Sequence, residues 1–329
     1  MYRTAIQNLF IPLTITGVLL GTTAKAQEYP SKPVTIILVL AAGTGLDVAV
    51  RTWAAHLTQT LGKQVVIENR PGADGILAVN AVKSAPADGH TLLVATSGAL
   101  AINQTIYKQL PYDPAKDFVS ASLYVKSPFV LVVHPSLPVR SAAELVTYVK
   151  ARPGQLNYSS ALPSGAPRLA MELFAQHFGL NVNLVPYKST MQAITDLAAG
   201  HVPMAFSEAG AAQQFIRSNR LRALAVSSLT RFNSLPDVPT LAEATATPGL
   251  EAVSWHALVA ASATPRPVVN RLHGEMTRIM KLPEVNKAIS NLDLIPLTPA
   301  SVEDTQQYIA AEAKKWGDLV RKLGLAGSQ

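Results

Sequence analysis

The sequence predicts an α/β fold of two lobes, and three observations lead to that prediction. The chain has 329 residues, enough for about two domains at roughly 100–200 residues each. Short β-branched runs alternate with amphipathic helical stretches, which is typical of α/β folds with largely parallel sheets. Finally, 48% of the residues are hydrophobic and only 15% are charged, which argues against a disordered chain.

The first 26 residues have the three parts of a secretory signal peptide. Arg3 supplies the basic start, residues 9–20 the apolar stretch, and AKA at 24–26 the cleavage site between small residues. The apolar stretch is shorter than the roughly 20 residues of a membrane-spanning helix, so an uncleaved anchor is the weaker alternative. The sequence has no cysteine to carry a lipid. We therefore expect a free mature protein in the periplasm.

The first α/β series begins directly after the predicted signal peptide. Val50, Trp53, Ala54 and Leu57 recur at helical spacing and predict one apolar helix face, and Gly62 is placed to end that helix. The series comprises strands 34–39, 65–67, 91–95 and 129–133, and helices 47–61 and 75–84.

A second α/β series and a helical C-terminal part follow. Ser141 and Glu144 predict a capping box at the start of helix 141–150. The later elements are strands 156–160, 184–187, 202–206 and 221–226, and helices 167–178, 191–199, 211–218, 267–281, 283–292 and 301–323.

Two α/β series followed by a helical C-terminal part suggest that the chain returns to its first lobe. Lobe 1 would comprise residues 27–126 and 250–329, and lobe 2 residues 127–249. The chain would cross between lobes near Lys126 and within the proline-rich stretch 235–249. Two crossing segments make a hinge, and we expect a ligand in the cleft between the lobes.

The turn AAGTGLD after the first strand is the first candidate binding element. Gly43 and Gly45 would free backbone N–H groups at a helix start, where the helix dipole favours an anion. Val48 stands where a dinucleotide fingerprint requires its third glycine, so that interpretation is weak. The alternative is a tight turn with Asp47 in the first helical turn, which is itself compatible with anion binding.

Two further loops follow predicted strands. The segment SSALPSGAP brings Ser160, Ser164 and Gly165 before a helix, and Thr96 and Ser97 follow the third strand. Any one of these loops is explained by ordinary turn chemistry. Their shared position at strand ends is where open α/β sheets bind ligands.

Catalytic and metal-binding patterns are absent from the sequence. The histidines at positions 56, 90, 134, 177, 201, 256 and 273 lack metal-ligand spacing, and no nucleophile elbow or P-loop occurs. The lack of cysteine excludes thiol nucleophiles, cysteine zinc sites and iron–sulfur clusters. Arg168 and Glu208 are candidates to face the cleft, with an ordinary ion pair as the alternative.

The formal net charge of +7 raises the question of a nucleic-acid partner. Removal of residues 1–26 takes away two basic and no acidic residues, which leaves +5. The remaining basic residues are scattered and export separates the protein from chromosomal DNA, so we expect no nucleic-acid binding. The mild positive charge fits an anionic solute.

Nine ordered motifs, together with the turn that ends at Asp47, resemble one family. The resemblance is to the Bug family, the extracytoplasmic solute receptors of tripartite tricarboxylate transporters, and it covers essentially the whole mature chain. The motifs are EYPSKPV (28–34), ENRPG (68–72), ADGHTLL (87–93), LPYDP with DF (110–118), PGQLNY (153–158), VPYK (185–188), LRALAV (221–226), LPDVPT (235–240) and SW (254–255).

The resemblance implies a type II periplasmic binding-protein fold that closes on a small carboxylate and delivers it to membrane permease subunits. It also implies that there is no catalysis and typically no metal; we further expect a monomer without a cofactor. The first turn of such receptors contacts a carboxylate, partly through water, and loops of the second lobe complete the site. The candidate ligand-binding residues are Gly43, Thr44, Gly45, Asp47, Thr96, Ser97, Ser160, Ser164, Gly165, Arg168, Ser207 and Glu208.

The candidate site departs from the pattern of the family it resembles. Leu46 and Leu162 make it more apolar, Ser207 replaces a common aspartate, and Arg168 replaces a usual histidine and adds a cation. We therefore expect a carboxylate with an apolar or aromatic body rather than citrate.

Two other functions stay open at this point. An exported enzyme on the same fold would use Arg168, Glu208 or His256. A sensory input protein would bind the same ligand and contact a membrane histidine kinase instead of a permease.

Overall fold

The computed structural model describes residues 29–161 and 165–329, so the predicted signal peptide, Leu162 and Ser164 lie outside the described residues. The strands are β1 (Val34–Leu38), β2 (Val65–Asn69), β3 (Thr91–Thr96), β4 (Phe118–Val133), β5 (Asn157–Ala161), β6 (Asn183–Tyr187), β7 (Met204–Glu208), β8 (Arg222–Val226), β9 (Val253–Ala261) and β10 (Ile295–Pro296). The helices are α1 (Gly45–Leu61), α2 (Ile76–Lys83), α3 (Asn103–Ile106), α4 (Pro114–Asp117), α5 (Ala142–Lys150), α6 (Ala166–Phe178), α7 (Thr190–Ala198), α8 (Ala209–Arg217), α9 (Leu241–Ala244), α10 (Arg266–Met280), α11 (Pro283–Ser290) and α12 (Val302–Lys322).

The first sheet has the strand order β2-β1-β3-β9-β4, with β10 beside β4. Strand β1 pairs in parallel with β2 and β3, whereas β9 runs antiparallel to β3 and β4. Helices α1, α10 and α11 cover one face around the buried Trp53, and α2 and α12 cover the other around Trp316. This sheet and its helices form the first lobe.

The second sheet has the order β4-β7-β5-β6, with β8 on the other edge of β4. Strand β5 is parallel to β6 and β7, and β7 is antiparallel to β4. Helices α5 and α6 cover one face and α7 and α8 the other. This sheet and its helices form the second lobe. Within the described ranges, no helix is both long and apolar enough to cross a membrane.

Strand β4 belongs to both sheets and therefore connects the lobes. Its first part, up to Pro128, pairs with β9 in the first sheet, and its last part, from Phe129, pairs with β7 in the second. The chain returns to the first sheet where β9 begins at Val253, opposite Pro128. A partly buried ion pair between Lys126 and Glu251, 2.9 Å long, ties the two connections together.

The expected elements between residues 34 and 95 are confirmed to within two residues at each end. Gly62 adopts the left-handed conformation (φ 66°) that ends α1, as expected for a glycine at this position. The expected strand 129–133 is only the end of a 16-residue strand. Serines interrupt the apolar pattern of its first part, and this concealed it. Strand β9 was not expected.

Only one of the two hydrogen bonds of the capping box predicted at Ser141 forms, so the prediction of a complete box is wrong. The Ser141 hydroxyl accepts the N–H of Glu144, but the Glu144 carboxylate accepts the N–H of Arg140. A complete capping box occurs instead at Thr240 and Glu243, at the start of α9.

Candidate functional site: a cleft between the two sheets

A cavity of about 390 Å³ lies between the two lobes. Side chains of both lobes and of the connecting strands contribute to its wall. The lining residues are Val39, Leu40, Ala41, Leu46, Pro71, Gly72, Ala73, Asp74, Gly75, Thr96, Gly98, Ser127, Phe129, Gly165, Ala166, Pro167, Thr190, Glu208, Ser254 and His256. Most of these are apolar, so the cavity suits a ligand with an apolar body.

The floor of the cavity follows from the strand register. Ser254 of β9 lies opposite Ser127 of β4, and Glu208 of β7 lies opposite Phe129. Residues two apart in a strand share a face, so Ser127 and Phe129 point the same way, as do Ser254 and His256. The floor thus runs from His256 in the first lobe, past two hydroxyls, to Glu208 in the second.

The first-lobe wall contains a strained turn at 72–75. All four residues have positive φ, and two of them, Ala73 (46°) and Asp74 (50°), are not glycine. Such residues cost about 1–3 kcal/mol each and persist where the surroundings hold them. The buried Asn103 amide donates to the Asp74 carbonyl at 3.0 Å, and the Tyr107 hydroxyl donates to its carboxylate at 2.9 Å. Burial and this carboxylate raise the pKa of Tyr107 to about 12.

The predicted first turn contributes Ala41 and Leu46 to the cavity, whereas Gly43, Thr44, Gly45 and Asp47 are not among its lining residues. Thr44 caps α1 by accepting the N–H of Asp47. The Asp47 carboxylate accepts from Arg51, Asn69 and the N–H of Gly43, at 2.9–3.0 Å. Burial alone would raise the pKa of Asp47, but these hydrogen bonds outweigh it and hold the pKa below its usual value. Asp47 therefore shapes the turn from within the first lobe.

Thr96 and Ser97 take different positions at the end of β3. Thr96 lines the cavity. Ser97 is fully buried behind it and shares a hydrogen bond of 2.8 Å with the hydroxyl of Ser254, which lines the floor. Ser97 therefore does not line the cavity itself and affects it only through its hydrogen bond to Ser254.

The second-lobe candidates converge on the same region. Gly165 and Glu208 line the main cavity. Ser160 and Ser207 line a smaller space of about 60 Å³, which shares Gly165, Pro167, Thr190 and Glu208 with the main cavity. Gly165 is the N-cap of α6 and Glu208 that of α8, so two helix starts meet at this end.

Arg168 lies elsewhere in the second lobe. Its side chain is not among the residues lining either space, and its guanidinium lowers the pKa of the Tyr158 hydroxyl by charge and hydrogen bonding. That hydroxyl also donates to the Glu172 carboxylate. Burial, the largest effect, and this carboxylate together raise the pKa of Tyr158.

Among the described lining residues, the ionisable side chains are two acids, Asp74 and Glu208, and one imidazole, His256. Burial raises the pKa of Glu208. Burial also lowers the pKa of His256 to about 3, so the imidazole is uncharged at neutral pH. His256 is only 2% exposed, and neither ring nitrogen has a hydrogen-bond partner in the described part of the chain. Residues 29–161 and 165–329 contain no cluster of side chains suited to hold a metal ion.

Sequence reasoning missed the turn at 72–75 and the floor residues Ser127, Phe129 and Ser254 as site residues. A signal existed for two of these features, because the ENRPG motif ends in the turn and the SW motif begins at Ser254. His256 was considered only as a catalytic candidate. Ser127 and Phe129 carry no local signal, because their position depends on β4 passing between the sheets.

Two α/β lobes connected by two strands around one cavity define the class of two-lobed solute-binding proteins. The chain belongs to the family described as tripartite tricarboxylate transporter family receptor, which matches residues 49–325. It is 32% identical to protein BugT of Bordetella pertussis, over 96% of this chain and 98% of BugT. The predicted family and fold class are therefore confirmed, and the protein is a solute-binding receptor of this family.

Solved structures show the same relationship. Rpa4515 of R. palustris with adipate is 31% identical, with a TM-score of 0.80 over 91% of this chain and 99% of that chain. MatC from Rhodopseudomonas palustris with bound malate is 28% identical, with a TM-score of 0.74 over 89% of this chain and 99% of that chain.

Proposed function

We propose that this receptor captures a small carboxylate with an apolar or aromatic body and delivers it to the permease subunits of a tripartite tricarboxylate-type transporter. The observation that carries the proposal is the cavity of about 390 Å³ between the lobes, with Val39, Leu40, Leu46 and Phe129 in its wall. The adipate and malate bound by the two similar structures support a carboxylate.

Backbone N–H groups at the second-lobe end of the cavity would bind a polar group at one end of the ligand. Gly165 caps α6 without a side chain, which leaves the N–H group of Ala166 in the first helical turn for a ligand. The hydroxyls of Ser160, Ser207 and Thr190 line the same end. Ser164 lies outside the described residues and stays a candidate from the sequence.

Ligand capture would couple to lobe closure through β4 and β9. A ligand that contacts both lobes binds the closed form better than the open form, and this difference in affinity shifts the population to the closed form. The closed form is then the shape that a permease recognises. The lobes proposed are 27–126 with 250–329 on one side and 127–249 on the other.

The compartment and state of the protein complete the proposal. Removal of residues 1–26 would release the mature chain into the periplasm, where it acts as a monomer and leaves its ligand chemically unchanged. Isothermal titration with recovery of the ligand tests the last point. A product that differs from the added acid would indicate an exported enzyme instead.

A thermal-shift panel tests the ligand class directly. Aromatic and aliphatic monocarboxylates should raise the Tm of the mature protein, because their bodies fill the apolar part of the cavity. Citrate, with its many charged and polar groups, should raise it less. Stabilisation by citrate without stabilisation by the monocarboxylates would contradict the proposal.

A further inference from the structure

The charges of the cavity are unusual for an anion-binding site. Asp74, Glu208 and His256 are the ionisable residues among its lining residues, and no lysine or arginine occurs among those that the structure describes. Residues 162–164, outside the described residues, are leucine, proline and serine, none of which is a cation. A carboxylate in this cavity would therefore bind through uncharged hydrogen-bond donors, and the two acidic side chains would repel it when they are ionised.

The two acids are not equivalent. The Asp74 carboxylate accepts a hydrogen bond from Tyr107 and belongs to the strained turn. The Glu208 side chain has no ion-pair partner among the described residues, although it lines both the main cavity and the smaller space. It is therefore the acid that a ligand meets directly.

The position of Glu208 separates it from the other polar end of the floor. His256 lies opposite Val125 and Glu208 lies opposite Phe129, four residues further along β4. At about 3.3 Å per residue this is about 13 Å of strand. The serines at 127 and 254 lie between the two ends. A ligand that extends along this floor would present its carboxylate to the neutral imidazole and its other end to the Glu208 side chain.

The proposal that follows rests on the proposed function and deepens it. We propose that Glu208 determines specificity: the ligand carries, besides its carboxylate, a hydrogen-bond donor such as an amide, hydroxyl or ammonium group that the Glu208 carboxylate accepts. Burial already raises the pKa of the Glu208 carboxyl, and a second carboxylate in that place would add a like charge in a water-poor site, so one of the two acids would have to bind a proton. A donor there forms a charge-assisted hydrogen bond.

Isothermal titration with a matched set of acids tests this proposal. The probes are hexanoate, adipate, the monoamide of adipic acid and 6-aminohexanoate, which differ only at the end away from the shared carboxylate. The wild-type protein should bind the monoamide and 6-aminohexanoate about tenfold or more tightly than adipate, a ratio that corresponds to about 1.4 kcal/mol or more.

The Glu208→Gln variant supplies the second half of the test. Its amide has nearly the same shape but no charge and can donate to a carboxylate, so the preference over adipate should fall about tenfold or disappear. Glu284→Gln, an exposed acid on α11, is the matched control and should keep the wild-type ratio. Thermal unfolding of both variants checks that each is folded.

The results distinguish a failure of the Glu208 proposal from a failure of the proposed receptor function. Tighter binding of adipate than of the monoamide by the wild type, or an unchanged ratio in Glu208→Gln, overturns the role of Glu208 and leaves the carboxylate receptor standing. Failure of all four acids to bind the wild type contradicts the proposed carboxylate function and this inference with it.

Discussion

Replacing His256 by phenylalanine should make the protein more stable and a weaker receptor. The imidazole is 2% exposed, and both ring nitrogens lack a hydrogen-bond partner in the described part of the chain. Each buried polar group without a partner costs about 1–3 kcal/mol. Phenylalanine removes both nitrogens, and the neighbouring cavity gives room for its slightly larger ring.

The free energy of unfolding should rise by about 1–2 kcal/mol. The rise is smaller than the full cost of two unpaired nitrogens because fitting the larger ring is itself unfavourable. The expected rise corresponds to an increase in Tm of about 2–8 °C. Ligand affinity should fall about tenfold, because we place one end of the ligand against the imidazole and phenylalanine offers that end no hydrogen bond. Differential scanning calorimetry measures the first effect, and titration with the best acid of the panel measures the second.

Tyr124→Phe is the matched control for this variant. The Tyr124 ring lies 6.2 Å from that of His256, and its buried hydroxyl also lacks a partner in the described residues, but Tyr124 does not line the cavity. Its loss of the hydroxyl should leave the protein equally stable or more stable and leave ligand affinity unchanged. A destabilised His256→Phe variant, or one that binds as tightly as the wild type, would refute the reasoning.

Three further predictions concern the groups around the cavity. Asn103→Leu removes a support of the strained turn and should cost about 2–4 kcal/mol in urea unfolding, whereas the exposed neighbour Gln104→Ala should cost less than 0.5 kcal/mol. Asp47→Asn should cost about 2–3 kcal/mol at pH 7. The folded-state pKa of Asp47 lies below its usual 3.8, so the loss of stability in Asp47→Asn is complete above about pH 4 and shrinks as the pH falls through the folded-state pKa. A loss of stability that does not change with pH would contradict this prediction. Ser254→Ala and Ser97→Ala break the same hydrogen bond and should lose similar stability, about 1 kcal/mol, but only Ser254→Ala should weaken ligand binding measurably in titration.

The fold could be predicted from sequence where the pattern is local. The first βα units are marked by β-branched runs, by the helical spacing around Trp53 and by Gly62, and the structure follows them closely. The long strand β4 could not be predicted, because its first part pairs through a register with irregularities and carries serines among apolar residues. Its extent is fixed by two sheets that local sequence does not reveal.

The candidate site was predictable in its second lobe and less so in its first. The expectation that ligands bind where strands end indicated Gly165 and Glu208, and both line the cavity. The same expectation indicated Asp47, whose carboxylate is instead committed to Arg51, Asn69 and the N–H of Gly43. Such internal pairing depends on Asn69, which is distant in sequence. Arg168 illustrates the same limit, because its interaction with Tyr158 depends on the packing of α6 against β5.

A crystal structure with the acid that gives the largest thermal shift tests the central claim most directly. The account predicts that the acid lies in the cleft between the turn at 72–75 and Glu208, with its apolar body against Leu46 and Phe129. The open groove lined by Lys83, Lys108 and Lys116 offers cations outside the cleft. An acid bound in that groove, with the cleft free of ligand, would contradict the account.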